Sequence, residues 1–277
     1  MLGVALLLAG CDGFGVDPGL DEDGTATPEL PLLQVAEVGG FAEIGAHFAR
    51  MPRLTVYRDG RAIVPGQQIA IYPAPALPNL LEYQLSDAQL DGLVELARET
   101  DLSAYADGGD GAGGGRGGGD GGGGDGGDGG GDGGGDGGIA DLPTTVVTLR
   151  VDGLSRVFAG QMLGSGDPLT DFVAAVSELV GEAEEVGQLE LAAFGVLAWP
   201  AAEGGGGEIE PTVVQWPLRE VDLADAECSV VSGAQAVELR DTLLEANTLT
   251  RFEFGDIVYQ VSVRPLLPHE VSCADLG

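Results

Sequence analysis

The sequence contains no lysine. All 12 of its basic residues are arginines, set against 45 acidic ones, for a formal net charge of −33. So acidic a chain is repelled by nucleic acid and by anionic lipid, which argues against both as partners of its surface. Arginine without lysine, beside abundant Ala, Gly, Asp and Leu, fits a GC-rich genome. Histidine occurs only as His47 and His269. A Ser-His-Asp triad would have to use one of these two, and both are expected at the surface or in turns. No Gly-x-Ser-x-Gly elbow occurs; residues Gly164 to Pro168 read as a turn into a helix cap. A zinc site needs three or four converging ligands, and two distant histidines do not suggest one. No metal and no cofactor is expected. Long apolar runs are also missing, since a bilayer crossing needs roughly 20 residues.

One short apolar run stands out. Residues 2 to 10 are almost wholly apolar and stop at Cys11. That is the length of the apolar region of a secretory signal. Leu8-Ala9-Gly10-Cys11 resembles the bacterial lipoprotein signal, in which the cysteine is lipidated and becomes the mature N-terminus. The resemblance implies an extracytoplasmic protein held at the membrane through Cys11. The following stretch to residue 34 is acidic and rich in Gly and Pro, as expected of a disordered tether. No Lys or Arg precedes the run, so this reading expects a start upstream of Met1. The competing reading is a buried N-terminal strand with a free core cysteine.

Three cysteines are present. With Cys11 lipidated, Cys228 and Cys273 remain, and an even remainder in an exported protein reads as a disulfide. Both flank elements expected to lie together, the strand entering the last helix and the tail leaving the last strand. Two reduced core thiols are the alternative.

The length accommodates one or two domains with a sizeable core. "RLTVYRDGRAIVPG" predicts a hairpin around Asp59-Gly60, and "TTVVTLRVDGLSRVFAG" a second around Asp152-Gly153. A helix follows each. Ser86 and Gln89 form a capping box ahead of Leu90, Leu93, Val94 and Ala97. Asp167 and Pro168 start a helix over "DPLTDFVAAVSELVGEAEE", with Leu169, Phe172, Val173, Val176 and Val180 as its buried stripe. Next come a buried strand in "QLELAAFGVLAWP", an extended "PTVVQWPL" and a third helix behind a Ser232/Gln235 capping box. A closing hairpin turns at Gly255-Asp256, where alternation in "VYQVSV" sets Tyr259, Val261 and Val263 on one face.

These elements predict an α+β fold, an antiparallel sheet built from hairpins with about three packed helices. The expected organisation is signal and lipidated cysteine over 1–11, tether over 12–34, and a hairpin-helix-hairpin-helix core over 35–200. A strand-helix-hairpin unit over 201–277, closed by the disulfide, packs on the same core. Residues 106–138, almost wholly Gly and Asp, form a disordered insertion with nothing to bury. Calcium-binding Gly/Asp repeats need an aliphatic residue in every repeat, and this stretch has none.

"LTVYRDGRAIVPG", "IYPAPALPNL", "LSDAQLDGLVELA", "DLPTTVVTL", "WPL" and "VRPLLPHEVSC" together resemble, in this order over roughly residues 40 to 273, a family of predicted secreted lipoproteins from high-GC bacteria. The resemblance implies export and this order of elements. No established activity comes with it, so it carries over no catalytic residue.

Trp199, Trp216, Tyr57, Tyr72 and Tyr83 could line a sugar or peptide groove, although aromatics beside proline at strand ends more often edge a core. Paired carboxylates for glycoside hydrolysis carry no information in so acidic a chain. The sequence therefore points to a lipid-anchored binding or interaction module without catalytic activity. The alternative is a carboxylate-based hydrolase acting on cell-envelope polymers.

Overall fold

The computed structural model describes residues 29–106, 142–202, 209–224 and 227–276. Cys11, the first part of the expected tether and the Gly/Asp insertion beyond Ala106 lie outside the described residues. The strands are β1 (Leu33–Val38), β2 (Leu54–Val56), β3 (Arg61–Pro65), β4 (Leu80–Gln84), β5 (Thr144–Val151), β6 (Leu154–Gly160), β7 (Glu184–Gln188), β8 (Ala193–Pro200), β9 (Val213–Gln215), β10 (Ser229–Ser232), β11 (Arg251–Phe254) and β12 (Ile257–Pro265). The helices are α1 (Ile44–Phe48), α2 (Asp87–Glu99), α3 (Pro168–Gly181) and α4 (Gly233–Leu244).

The fold is α+β, with two sheets of mostly antiparallel strands. The larger has seven strands in the order β6-β5-β1-β2-β3-β4-β7. The smaller has five, β10-β8-β12-β11-β9, with β9 and β11 parallel. The expected hairpins form. Asp152 (φ 54°) and Gly153 (φ 73°) both take the left-handed conformation that a two-residue turn between right-twisted strands requires.

Side-chain alternation divides the seven-stranded sheet. Leu33, Val35, Leu54, Val56, Ala62, Val147 and Leu149 face one core together with Leu93 of α2 and the stripe of α3. All five predicted stripe residues of α3 are buried. Asp167 caps that helix by accepting from Thr170 N–H at 2.8 Å, and the Ser86/Gln89 box of α2 is complete. A second core gathers Phe194, Val196, Tyr259, Val263 and Phe252 of the smaller sheet against Leu239 and Leu243 of α4. On the opposite face of the large sheet, Tyr57, Ile63 and Leu80 meet Leu267, which follows β12.

Several expectations need correction. The tether does not reach residue 34: Leu32 and Leu33 are buried, and β1 pairs with both β2 and β5 near the middle of the large sheet. The acidic, Pro-rich context hid a strand whose register comes from its two neighbours. The insertion does not begin at 106, because Ala106 bridges to Phe158. The second helix stops at Gly181, and Glu184–Gln188 becomes β7, whose charged side chains are tolerated on an exposed edge. β8 joins the smaller sheet, so the break between sheets falls before Ala193 rather than at 201. The buried residues fall into three clusters rather than the single shared core expected. Ser232 makes no side-chain cap, because it is held as a strand residue opposite Ala193 and Gly233 follows at φ 60°. Gln235 bonds instead to Glu220 at 2.8 Å. The fourth helix, α1, went unpredicted. It packs on β12 through Gly45, whose carbonyl accepts from Ser262 Oγ at 2.6 Å.

Candidate functional site

A buried polar cluster forms where β12 gives way to the C-terminal segment. Pro265 and Pro268 stop the strand, and a turn closes with Glu270 N–H donating to Leu267 O at 2.8 Å. The Glu270 carboxylate points back into the turn. One oxygen accepts from Leu267 N–H at 2.8 Å and the other from Arg264 Nη2 at 2.7 Å. The two side chains are only 4% and 2% exposed. Burial raises the Glu270 pKa, and the neighbouring Arg264 charge opposes the rise. An arginine carries five N–H donors. Nη2 is engaged, whereas Nε and Nη1 are buried without a partner among the described residues. Buried donors left unsatisfied cost about 1–3 kcal/mol each, more when charged, so this guanidinium is under-coordinated by the protein itself.

His269 sits beside the pair. Its Nδ1 lies 2.8 Å from the Tyr57 hydroxyl, and its Nε2 lies 3.4 Å from Gln34 Nε2. The Tyr57 and His269 rings meet edge to face at 5.8 Å. Burial, reinforced by the Arg150 and Arg264 charges, lowers the His269 pKa to about 4. The imidazole is therefore neutral at physiological pH. Burial also pushes the Tyr57 pKa well up, helped by the Glu270 charge. A neutral histidine bonded to a phenol this reluctant to ionise has no activated nucleophile. His269 lies in a turn, as expected, but its ring is half-buried and bonded across the fold rather than free at the surface. The sequence offered one signal, its place beside two prolines and two residues after Leu267. Its partners Tyr57 and Gln34 are too remote in the chain to be inferred.

The predicted disulfide is present. Cys228 and Cys273 are bonded with Cα atoms 6.0 Å apart, closing a 45-residue separation. It ties the C-terminal segment to the residue preceding β10. The segment thus runs from β12 across to β10, and the Leu276 side chain lies over Gly195 of β8.

This tied segment walls a cavity of about 380 Å³ whose other side is the β1 and β5 face of the large sheet. Gln34, Thr148, His47, Arg50, Arg264 and Glu270 are among its lining residues. The carboxylates there are already engaged. Glu37 bonds to Arg53 at 3.3 Å, Glu270 holds Arg264, and Asp275 accepts from Val271 N–H, Ser272 N–H and Ser272 Oγ. Those bonds hold the Asp275 carboxyl below its ordinary range. Arg50 donates to the Gly39 carbonyl at 2.9 Å and the Glu37 carbonyl at 3.4 Å, and meets no carboxylate among the described residues.

The aromatic candidates do not share a groove. Tyr57 is fully buried against His269. Trp216 is buried edge to face on Phe252 and donates to Val221 O at 3.0 Å. Trp199 lies against Gly45, Tyr83 reaches Glu185, and Tyr72 is exposed. Among the described residues no group of three or more His, Cys, Asp or Glu side chains is placed to hold a metal ion, and no helix is long and apolar enough to cross a membrane. Comparison of the chain with family models, curated proteins and solved structures finds no match.

Proposed function

We propose that this protein is a lipid-anchored extracytoplasmic binding module without catalytic activity, with the cavity beside Arg264 as its ligand site. The observation that carries the reading is the way the cavity is built. Its wall is a chain segment fixed at one end by β12 and at the other by a disulfide, and its lining residues include Arg264, whose guanidinium is buried and under-coordinated. A preorganised concave site with a few fixed polar groups suits binding. A disulfide of this kind supports an oxidising compartment. The Leu8-Ala9-Gly10-Cys11 run, and the order of motifs that resembles secreted lipoproteins of high-GC bacteria, support anchoring through Cys11. Nucleic acid remains excluded as a partner on charge.

The experiment expresses the chain with an upstream basic start and compares it with Cys11→Ser. The parent should enter the detergent-rich phase of a detergent split and the variant the aqueous phase. Equal partition into the aqueous phase overturns the anchor.

One observation favours the rival reading, a carboxylate-based hydrolase of envelope polymers: Glu270 has a raised pKa and shares the cavity with Asp275. Both carboxylates are already spent on internal bonds. Release of soluble sugars or peptides from purified cell-wall material, lost in Glu270→Gln, would decide for the hydrolase.

A further inference from the structure

We infer that the cavity beside Arg264 binds a small organic carboxylate, its acid group held by arginine donors and its body lying on an apolar wall. The inference rests on the reading of this cavity as a ligand site and adds the chemistry of the ligand.

The argument is a count of donors and acceptors. Three carboxylates line the cavity, Glu37, Glu270 and Asp275, and each has its partners within the protein. The donors are in surplus. Nε and Nη1 of Arg264 carry three N–H groups between them and have no acceptor among the described residues. Arg50 meets backbone carbonyls and no carboxylate among those residues, so its charge is uncompensated at close range. With Arg53 counted as the partner of Glu37, the charges at this site balance, in a chain whose net charge is −33. An anion repelled elsewhere meets here a locally neutral surface, with Arg50 partly exposed on its wall and the sealed Arg264 guanidinium adding its charge from behind. Guanidinium groups match carboxylate geometry and are weakly hydrated, which suits a partly dry site.

The rest of the wall selects against a bare oxyanion. Ala36, Val38, Met51 and Val146 present apolar surface beside the arginines. A volume of about 380 Å³ is ample for a carboxylate with a short hydrocarbon body and leaves a phosphate ion loosely held. Thr148 and Gln34 add polar groups on the strand side.

The test uses the full-length, oxidised protein and isothermal titration with four probes: hexanoate, succinate, the neutral isostere hexanamide, and inorganic phosphate. Saturable binding of hexanoate or succinate is expected, with hexanamide and phosphate at least about tenfold weaker. Arg50→Gln, a partly exposed substitution that leaves the cores intact, should weaken carboxylate binding by about tenfold. Arg264→Met combined with Glu270→Gln removes the buried guanidinium without stranding a charge and should weaken binding by about tenfold; circular dichroism checks that the double variant is folded. Equal binding of phosphate and hexanoate overturns the inference, because the organic body then contributes nothing. Carboxylate binding unchanged in both variants overturns it by placing the ligand elsewhere, and so does absence of binding by all four probes. None of these results depends on Cys11, so failure here is distinct from failure of the membrane anchor.

Discussion

The hydroxyl of Tyr57 lies 2.8 Å from Nδ1 of His269, although 212 residues separate them. This bond joins the turn end of β2 to the C-terminal segment, and it works with a neutral imidazole. The unfolded chain holds a histidine of ordinary pKa near 6.5, whereas the folded value is about 4. Between those values the unfolded state binds more protons, so stability must fall as pH drops through 6.5 toward 4. The ring is only half-buried, which discounts the effect to about 1–2 kcal/mol. Glu270 acts in the opposite direction: its raised pKa makes the folded state the better proton binder, so its contribution grows on acidification. Urea melts between pH 4 and 7 should show a net loss toward acid. In His269→Gln the loss between pH 7 and about 5 should vanish or reverse, leaving the Glu270 slope; nearer pH 4 the depressed carboxyls of Asp275, Asp152 and Asp167 lose stability in both proteins. An unchanged acid loss in the variant would show that His269 is not its source.

The disulfide should account for a large part of the stability of the C-terminal segment. Closing a separation of 45 residues reduces unfolded-chain entropy by about 4 kcal/mol in the loop-closure model. Cys228→Ser with Cys273→Ser should lower the unfolding free energy by roughly that amount. The same variant should raise hydrogen exchange at residues 266–276, the segment that walls the cavity. A loss of stability spread evenly over both sheets, with no local rise in exchange there, would contradict the role of the bond as a tie for this segment.

Local sequence signals were enough for the hairpins, the two long helices and the cysteine pair, because each depends on residues a few positions apart or on a small count. Asp152-Gly153 dictates a left-handed turn, and the five apolar residues of α3 mark its buried face. Other features depend on the far side of the fold. β1 is a strand because β2 and β5 flank it, and α1 is a single turn held by Trp199 and Ser262. The Ser232 cap failed because strand pairing to Ala193 overrode a local preference. The site was the least legible part. Arg264 and Glu270 are six residues apart, yet nothing local says that both are buried; that follows from the C-terminal segment lying on the large sheet.

Gly45 offers a test in which two effects oppose each other. Alanine favours a helix over glycine by about 1 kcal/mol, so Gly45→Ala should stabilise α1 if the helix stood alone. A Cβ at this position would instead collide with the Trp199 ring and come within 3.4 Å of Ser262 Cβ. Both neighbours belong to the smaller sheet, so relief means moving α1 off β8 and β12. Overpacking of this kind costs typically about 1–3 kcal/mol, and the net effect should be destabilising. Thermal melts of Gly45→Ala should show a lower Tm. Trp199→Leu should restore much of it in the double variant by removing the ring. A raised Tm in Gly45→Ala alone would mean that α1 is free to shift at no cost.

The buried pair should be coupled far more strongly than a surface ion pair. Arg264 and Glu270 meet at 2.7 Å with almost no exposure, so losing one partner strands the other charge in a dry interior. Arg264→Met alone should cost about 3–5 kcal/mol. Glu270→Gln alone should cost a comparable amount, since its one amide oxygen can replace only one of the two carboxylate oxygens that accept from Leu267 N–H and Arg264, its NH2 faces the other donor, and the Arg264 charge is stranded. The double variant should be more stable than the sum of the two losses predicts, because a neutral glutamine no longer needs the guanidinium. Urea unfolding of the four proteins gives the coupling energy directly, and a value of about 2 kcal/mol or more is expected for a pair in contact. Simple additivity would place water or another donor at Glu270, and the carboxylate would then not depend on Arg264 for its charge. The single Arg264→Met variant should also respond to pH. With its cation removed, burial acts on Glu270 opposed only by the Leu267 N–H bond, the carboxyl pKa rises further, and stability lost at pH 7 should be partly regained as the pH is lowered.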